Sequence, residues 1–433
     1  MVTEPSSKPS SYYIWTIGCQ MNKADSDRLE SALVHLGLKP TQTPQQADVV
    51  VLNSCVVRQS AEDKVVGMLS SLKPLKQRDS GRVVALMGCM VGPKTDALQS
   101  KFPYVDVFMR PQQYKPLLDL LGNRMGVDAE GCLATFAPAR VSVTAYIPII
   151  HGCDKFCTFC IIPYRRGREV SRPIQDIVHE TELLTARGVK EVTLLGQNVD
   201  SYGHDLPSSP DLADLLAATN AVDGLQRVRF LTSHPNDMSG RIIEAVATLD
   251  KVCEHINLPF QAGDDHVLAA MRRGYTSDDY LRLVERIRAT VPNVSLSTDL
   301  IVGFPGETEE AFQRSVGLLQ EVQFDKVHVA AYSTRPGTIA SRTQPDDVPH
   351  EEKKRRFAEI ERLQEEILTT INARLQGATT EVLVEGREKG KWSGRNRNDK
   401  LVFFEDEREL LGQLVNVRIE KTSPWSLQGV AVS

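Results

Sequence analysis

Cysteines stand at positions 153, 157 and 160 in the stretch His151-Gly-Cys-Asp-Lys-Phe-Cys-Thr-Phe-Cys160. Thiolates this close hold metal, and three are one short of a closed site. An open position is what lets a metal site bind a reactant. Zinc sites usually join two CxxC pairs or add histidines. No second pair lies nearby, and His151 reads as a structural neighbour. Three thiolates on a four-iron cluster would leave one iron open. A second trio is dispersed: Cys19, Cys55 and Cys89 close the β-rich runs "YYIWTIGC", "ADVVVLNSC" and "RVVALMGC". A free cysteine is often a small buried hydrophobe. Three at the same place in consecutive strands favour a shared metal site instead. Cys132 and Cys253 lack that placement and read as buried hydrophobes.

The elements between these residues are legible from periodicity. In the first region, to about residue 130, strand-like runs alternate with helical stretches such as "SDRLESALVHLGL", whose Leu29, Leu33 and Leu36 share a helix face. That order implies a parallel sheet, whose loops at the carboxyl ends of the strands line one crevice. From about 139 to 370, six runs read as strands: "VTAYIPII", "EVTLLG", "RVRFLT", "HINLPF", "SLSTDLIVG" and "KVHVAAYS". Amphipathic helices separate them, which fits a partial (β/α)6 barrel with its site at the strand ends. Polar turns follow several strands, and the cysteine triplet follows the first.

A charged helix is expected over "HEEKKRRFAEIERLQEEILTTINARLQG", with Phe357, Ile360, Leu363, Ile367 and Ile371 facing the barrel and the charges in solvent. The tail, 373–433, carries short antiparallel runs that fit a small OB-like β-barrel. Between two of them lies "REKGKWSGRNRNDK", with Arg387, Lys389, Lys391, Trp392, Arg395, Arg397 and Lys400. Basic groups around an aromatic suit a phosphate backbone and a stacked base. A solvated hairpin is the plainer reading.

The net charge of −5 excludes a general polycation, so any nucleic-acid contact must be local. The chain has no secretory pattern and no apolar run near the ~20 residues of a membrane span. A cytoplasmic protein without membrane attachment is expected, with its eight cysteines reduced.

CxxxCxxC with an aromatic before the last cysteine, after the first strand of a barrel, resembles the radical S-adenosylmethionine (SAM) superfamily. In order along the chain, "TIGCQMN", "LNSCVVR", "GCDKFCTFCIIPYRRGRE", "LLGQNVDSYG", "TSHP", "QAGDDHVLAAMRRGYT", "TDLIVGFPGETEE" and "YSTRPGT" resemble the methylthiotransferase family, and the tail resembles its RNA-binding TRAM domain. The resemblance implies an α/β chain of three domains: an N-terminal methylthiotransferase domain over 11–128, a radical SAM core over 139–370 and the TRAM barrel over 373–433. It implies two [4Fe-4S] clusters, one on Cys153, Cys157 and Cys160 with SAM as the fourth ligand, the other an auxiliary cluster on Cys19, Cys55 and Cys89.

The chemistry so implied is methylthiolation of an unactivated adenine C–H. One SAM gives the methyl group and a second gives the 5′-deoxyadenosyl radical that abstracts the hydrogen atom. "TIGCQMNKADS", "YRRGRE" and "LLGQNV" resemble the branch acting on isopentenyl-adenosine beside the tRNA anticodon (MiaB). Threonylcarbamoyl-adenosine in tRNA and a ribosomal-protein aspartate are the substrates of the other branches. Arg165, Ala262 and Asp264 depart from common family residues. Phe159 is expected near the SAM adenine, and Gln197, Asn198, Asp299 and Arg335 near SAM or substrate. An electron donor such as flavodoxin or ferredoxin, tRNA as partner and a monomeric state complete the expectation. A zinc-bearing RNA-binding protein is the non-enzymatic alternative.

Overall fold

The computed structural model describes residues 8–56, 59–129, 131–132 and 142–432, and the chain divides into two compact units. The expected core boundary at 139 and the first seven residues lie outside the described residues. Unit one holds the chain up to residue 140 together with 151–153 and 161–168; unit two holds the rest.

Unit one is built on five parallel strands. In chain order they are β1 (Ser11–Thr16), β2 (Lys39–Pro40), β3 (Val49–Ser54), β4 (Val83–Gly88) and β5 (Val107–Met109), arranged β2-β1-β3-β4-β5. Helices α1 (Gln20–His35), α2 (Gln59–Arg78), α3 (Asp96–Lys101) and α4 (Lys115–Met125) connect or follow them. β3 and β4 are buried at all six positions. Apolar runs such as those at 49–52 and 83–87 belong to central strands covered on both faces. Val49, Val51, Ala85 and Met87 pack under α1 and α4, with Cys132 in that core. Val50, Leu52, Val84 and Leu86 pack on the other face with Val65 and Leu69 of α2, and with Ile161. The alternation of the two sets is the period of a strand.

Unit two contains six parallel strands in two groups of three: Thr144–Pro148, Glu191–Leu195 and Arg227–Leu231, then His255–Asn257, Ser295–Val302 and Lys326–Ala331. A parallel bridge from Val228 to Val252 links the segment before the second group to the first. This is the partial barrel expected from the six runs. Cys253 is 1% exposed.

The long helix His350–Ala373 buries Ile360, Leu363, Ile367 and Leu368. Its charges are not all in solvent. Lys353 pairs with Asp346, and Arg356 pairs with Glu307 at 2.8 Å, where both side chains are at most 5% exposed. Two charges of the polar run therefore lock the helix to the barrel.

The tail closes into a five-stranded barrel in the same unit. One strand, Lys391–Asn396, falls within the basic stretch that separates two of the expected strands. It pairs Trp392 with Phe404 and puts the indole in the barrel core with Val382, Val402 and Val417.

Candidate active site

In unit one, Cys19, Cys55 and Cys89 follow β1, β3 and β4, the adjacent central strands. Two buried asparagines tie their loops together. Asn22 donates Nδ2 to Asn53 Oδ1 at 2.9 Å and to the Ser54 carbonyl at 3.0 Å. Asn53 returns Nδ2 to the Asn22 carbonyl at 2.7 Å and to Ser26 Oγ at 2.9 Å. Asn22 Oδ1 accepts from the Cys19 thiol at 3.3 Å. The Cys89 amide donates to the Ser54 carbonyl at 2.9 Å. The turn before Cys89 needs glycine: Gly88 has φ +97°, and a Cβ there would lie 2.4 Å from the Ser54 carbonyl oxygen.

Burial pushes the Cys89 thiol up to about 11. Arg166 pulls against that rise, while the Cys55 and Cys19 thiols and Asp25 add to it. The turn before Cys19 also lies against Cys55: a Cβ on Gly18 would sit 2.9 Å from the Cys55 Cβ. Three thiols with one arginine beside them suit a cationic metal group, whose charge would hold all three as thiolates. The residues fit an iron–sulfur cluster with one iron left open.

The triplet Cys153, Cys157 and Cys160 lies on the loop after Thr144–Pro148. In unit two, Cys157 is buried and its Sγ accepts from Arg273 Nη1 at 3.3 Å. Arg273 is itself fixed, with Nε donating to Tyr275 Oη at 3.0 Å and Nη2 to the Pro259 carbonyl at 3.1 Å. Thr158 anchors the loop through its amide to the Met271 carbonyl and its hydroxyl to the Ala270 carbonyl. Asp154 and Glu169 brace it reciprocally, each amide donating to the other's carboxylate, at 3.1 and 3.3 Å.

Polar side chains crowd the carboxyl ends of the neighbouring strands. Lys155 Nζ and Asn198 Nδ2 donate to the two oxygens of Asp237, at 2.7 and 2.6 Å. Ser233 Oγ and the His234 amide donate to the two oxygens of Asp200, both at 2.9 Å. Burial carries the Asp200 carboxyl up to about 7, against those two hydrogen bonds. Burial, then the charges of Arg273 and Lys155, lowers His234 to about 2. Thr232, a β-branched residue, is held at φ +73° between them. Strain of that kind gathers at functional sites. Gln197 Oε1, Asn198 Oδ1 and His234 Nε2 are buried without a hydrogen-bond partner, which leaves acceptors and a ring nitrogen for a polar ligand at this mouth.

Of the residues expected here, Asn198 is buried at the mouth, and Gln197 and Phe159 are half-buried. Asp299 Oδ2 accepts from Asn257 Nδ2 at 3.4 Å. The Arg335 carbonyl caps the turn to Thr338. Sequence reasoning placed Ser233 and His234 in a polar turn at this face without giving them a role, and missed Asp200, Asp237 and Arg273, although "RRG" carries the last.

The basic tail divides. Arg387 and Lys389 are exposed, and Lys391 is half-buried. Arg397 forks onto Glu254 at 2.7 and 2.8 Å, and Lys400 bonds Asp325 at 2.7 Å. Arg395 turns back to Asp399, its Nη1 donating to that carbonyl at 2.9 Å. The structure corrects Trp392. The indole is 3% exposed, donates Nε1 to the Asp406 and Arg408 carbonyls, and carries the Arg387 guanidinium 4.0 Å over its ring. It offers no face for a base because strand alternation points it inward. Arg397 and Lys400 are held by acids of the larger barrel and fasten the tail to it.

Three family matches coincide with these parts. Residues 11–110 match the uncharacterized protein family UPF0004, 147–319 match the radical SAM superfamily, and 373–432 match the TRAM domain. The tRNA-2-methylthio-N(6)-dimethylallyladenosine synthase of Roseiflexus sp. (strain RS-1) is 51% identical over 97% of this chain and 89% of its own length. That of Dehalococcoides mccartyi (strain CBDB1) is 50% identical over 98% of both chains. The chain belongs to that family.

The synthase family assignment reaches 40% identity with the namesake from Thermoanaerobacter pseudethanolicus, still over 97% of this chain. The fold is shared more widely. A radical SAM methyltransferase from Kitasatospora setae, solved with cobalamin and a [4Fe-4S] cluster, superposes with a TM-score of 0.57 at 16% identity over 77% of each chain. Within the synthase family, Asp264 here acts as a helix cap, accepting from the Val267 amide at 3.0 Å while pairing with Arg314.

Proposed function

We propose that this chain methylthiolates N6-dimethylallyl-adenosine beside the anticodon of tRNA, as the names of its relatives state for them. The observation that carries the reading is the near-complete coverage at half identity, with both cysteine trios in place. Cys153, Cys157 and Cys160 would hold the SAM-binding [4Fe-4S] cluster, and Cys19, Cys55 and Cys89 the auxiliary one. When bound, these groups with SAM supply the 5′-deoxyadenosyl radical, the sulfur and the methyl group.

The chain's own residues do the rest. Arg273 donates to the Cys157 sulfur and orients it. Thr158 and the Asp154–Glu169 pair hold the cysteine loop in one conformation. The orphaned oxygens of Gln197 and Asn198 can accept from amino and hydroxyl groups of SAM, and His234, whose Nδ1 accepts from the Asn236 amide at 3.3 Å, can donate from Nε2. His234 stays neutral at physiological pH, so it adds no cation near a sulfonium. Phe159, Asp299 and Arg335 complete the proposed lining. Arg387, Lys389 and Lys391 on the outer hairpin of the tail are the proposed phosphate contacts.

Among the described residues, no helix is long and apolar enough to cross a membrane. A cytoplasmic monomer drawing electrons from a flavodoxin or ferredoxin fits a tRNA-modifying reaction of this kind. The test is a split by trio. Cys157→Ala should abolish formation of 5′-deoxyadenosine. Cys55→Ala should spare it and abolish the methylthio product. Thiolation surviving the second change would remove the auxiliary role.

A further inference from the structure

Each cysteine trio has one buried arginine against one of its sulfurs. For the triplet it is Arg273. For the dispersed trio it is Arg166, contributed by "YRRGR", within the segment 161–168 just beyond Cys160 that belongs to unit one. The Arg166 side chain is 2% exposed, and Nη2 pairs with Asp25 Oδ2 at 3.0 Å, itself 1% exposed. Asp25 lies on α1, the helix that Cys19 caps, which puts the pair beside the dispersed trio, and Arg166 Nη1 is buried with no hydrogen-bond partner. Its place is fixed from the backbone: Arg110 Nη2 donates to the adjacent Arg165 carbonyl at 3.0 Å, and the Gly167 amide donates to the Pro163 carbonyl at 3.1 Å. Neighbouring Ile161, Ile162 and Tyr164 pack into the apolar core below.

A buried cation is retained at a cost unless its charge is used. Asp25 offsets part of it. The rest lies beside the turn that carries Cys19, at the start of the same helix as Asp25. Net charge and hydrogen bonds to the sulfurs are what set the potential of an iron–sulfur cluster, and a fixed cation favours the reduced, more negative form.

We propose that Arg166, held by Asp25, is a positioning residue that sets the charge and reduction potential of the auxiliary centre on Cys19, Cys55 and Cys89. The proposal rests on the reading of that trio as an iron–sulfur site. The segment that follows the SAM-cluster motif in sequence thus supplies the cation of the auxiliary centre.

The test uses the full chain with Cys153, Cys157 and Cys160 changed to alanine, so that only the auxiliary centre can form. Iron is counted after anaerobic reconstitution, and the potential is followed by electron paramagnetic resonance during reductive titration with dithionite. Arg166→Gln should shift the oxidised-to-reduced ratio at fixed potential at least tenfold toward oxidised, about 59 mV for a one-electron couple. Asp25→Asn should leave the potential in place or raise it, because it removes an anion and not the cation. An unchanged potential in Arg166→Gln, or an equal fall in both variants, would overturn the proposal. If Arg166→Gln fails to load iron, Arg166→Lys decides. Loading with a near-parent potential supports the charge role, and loss of iron there too overturns it. A parent without iron would instead overturn the cluster reading, and the proposal with it.

Discussion

Arg273 and Cys157 are joined by a hydrogen bond of 3.3 Å between buried side chains, 116 residues apart in sequence. The arginine comes from the segment after the fourth of the six barrel strands and is braced by Tyr275 and Pro259. It therefore sets the direction of one sulfur of the SAM-cluster motif. Arg273→Gln keeps a donor but loses the charge and the fork. We expect 5′-deoxyadenosine formation to fall by about tenfold or more, in line with the 10–100-fold effect of removing an outer partner of a metal ligand. Single-turnover chromatography measures it, and an unchanged yield would make the contact incidental.

Gly88→Ala should empty one centre and spare the other. The new Cβ meets the Ser54 carbonyl oxygen at 2.4 Å, and φ +97° disfavours any side chain. Iron per chain should fall from about eight to about four, the content of one remaining four-iron cluster. SAM cleavage should persist. Iron analysis and 5′-deoxyadenosine assay together check it.

Asn53→Ala removes an acceptor from Asn22 Nδ2 and the donor to the Ser26 hydroxyl in a fully buried site. Leaving buried polar groups unmatched costs roughly 1–3 kcal/mol. Denaturant unfolding of the apo-protein should show that loss, and Asn53→Asp should not restore it, since it lacks the amide donor.

Much of this architecture is legible in the sequence. The apolar runs of β3 and β4 are each followed closely by a cysteine, so both the sheet and the placement of Cys55 and Cys89 at its strand ends follow from pattern. The barrel strands are equally plain. Lys391–Asn396 is not, because Lys, Arg, Ser and Gly outnumber its one inward-facing aromatic, Trp392, and charge masks the strand. Asn22 and Asn53 are invisible for another reason: a buried amide looks like a turn residue until its partners, 31 residues away, are known. Arg166 and Arg273 each stand in a pair of arginines, and nothing local says which of the two is buried.

Trp392→Ala should cost about 3–5 kcal/mol in stability of the tail barrel, as truncation of a core aromatic does. It should not behave as the loss of a base-stacking residue. Arg387→Ala with Lys389→Ala should leave folding intact and reduce the salt dependence of tRNA affinity by up to about two counterions. Binding isotherms at several salt concentrations separate the two cases.

Asp200 keeps its proton to about pH 7 where an ordinary aspartate loses it near 3.8. The folded state then holds a proton that the unfolded chain releases. Its contribution to stability is complete below about pH 4 and is lost as pH rises through about 7. His234, lowered to about 2, works the other way, contributing stability that grows as pH rises from about 2 to its unfolded value of 6.5. Asp200→Asn isolates the first. The variant should gain on the parent as pH climbs from about 4 to about 7, read from denaturant midpoints. A constant difference across that range would contradict the assignment.

The central claim is tested most directly by nucleoside mass spectrometry. Anaerobically reconstituted protein is incubated with SAM, a strong reductant and tRNA bearing N6-dimethylallyl-adenosine. A 2-methylthio nucleoside at that position is the expected product, absent in Cys55→Ala. Formation of 5′-deoxyadenosine with no methylthio product on this tRNA, but with product on threonylcarbamoyl-adenosine or a ribosomal aspartate, would contradict the substrate assigned here.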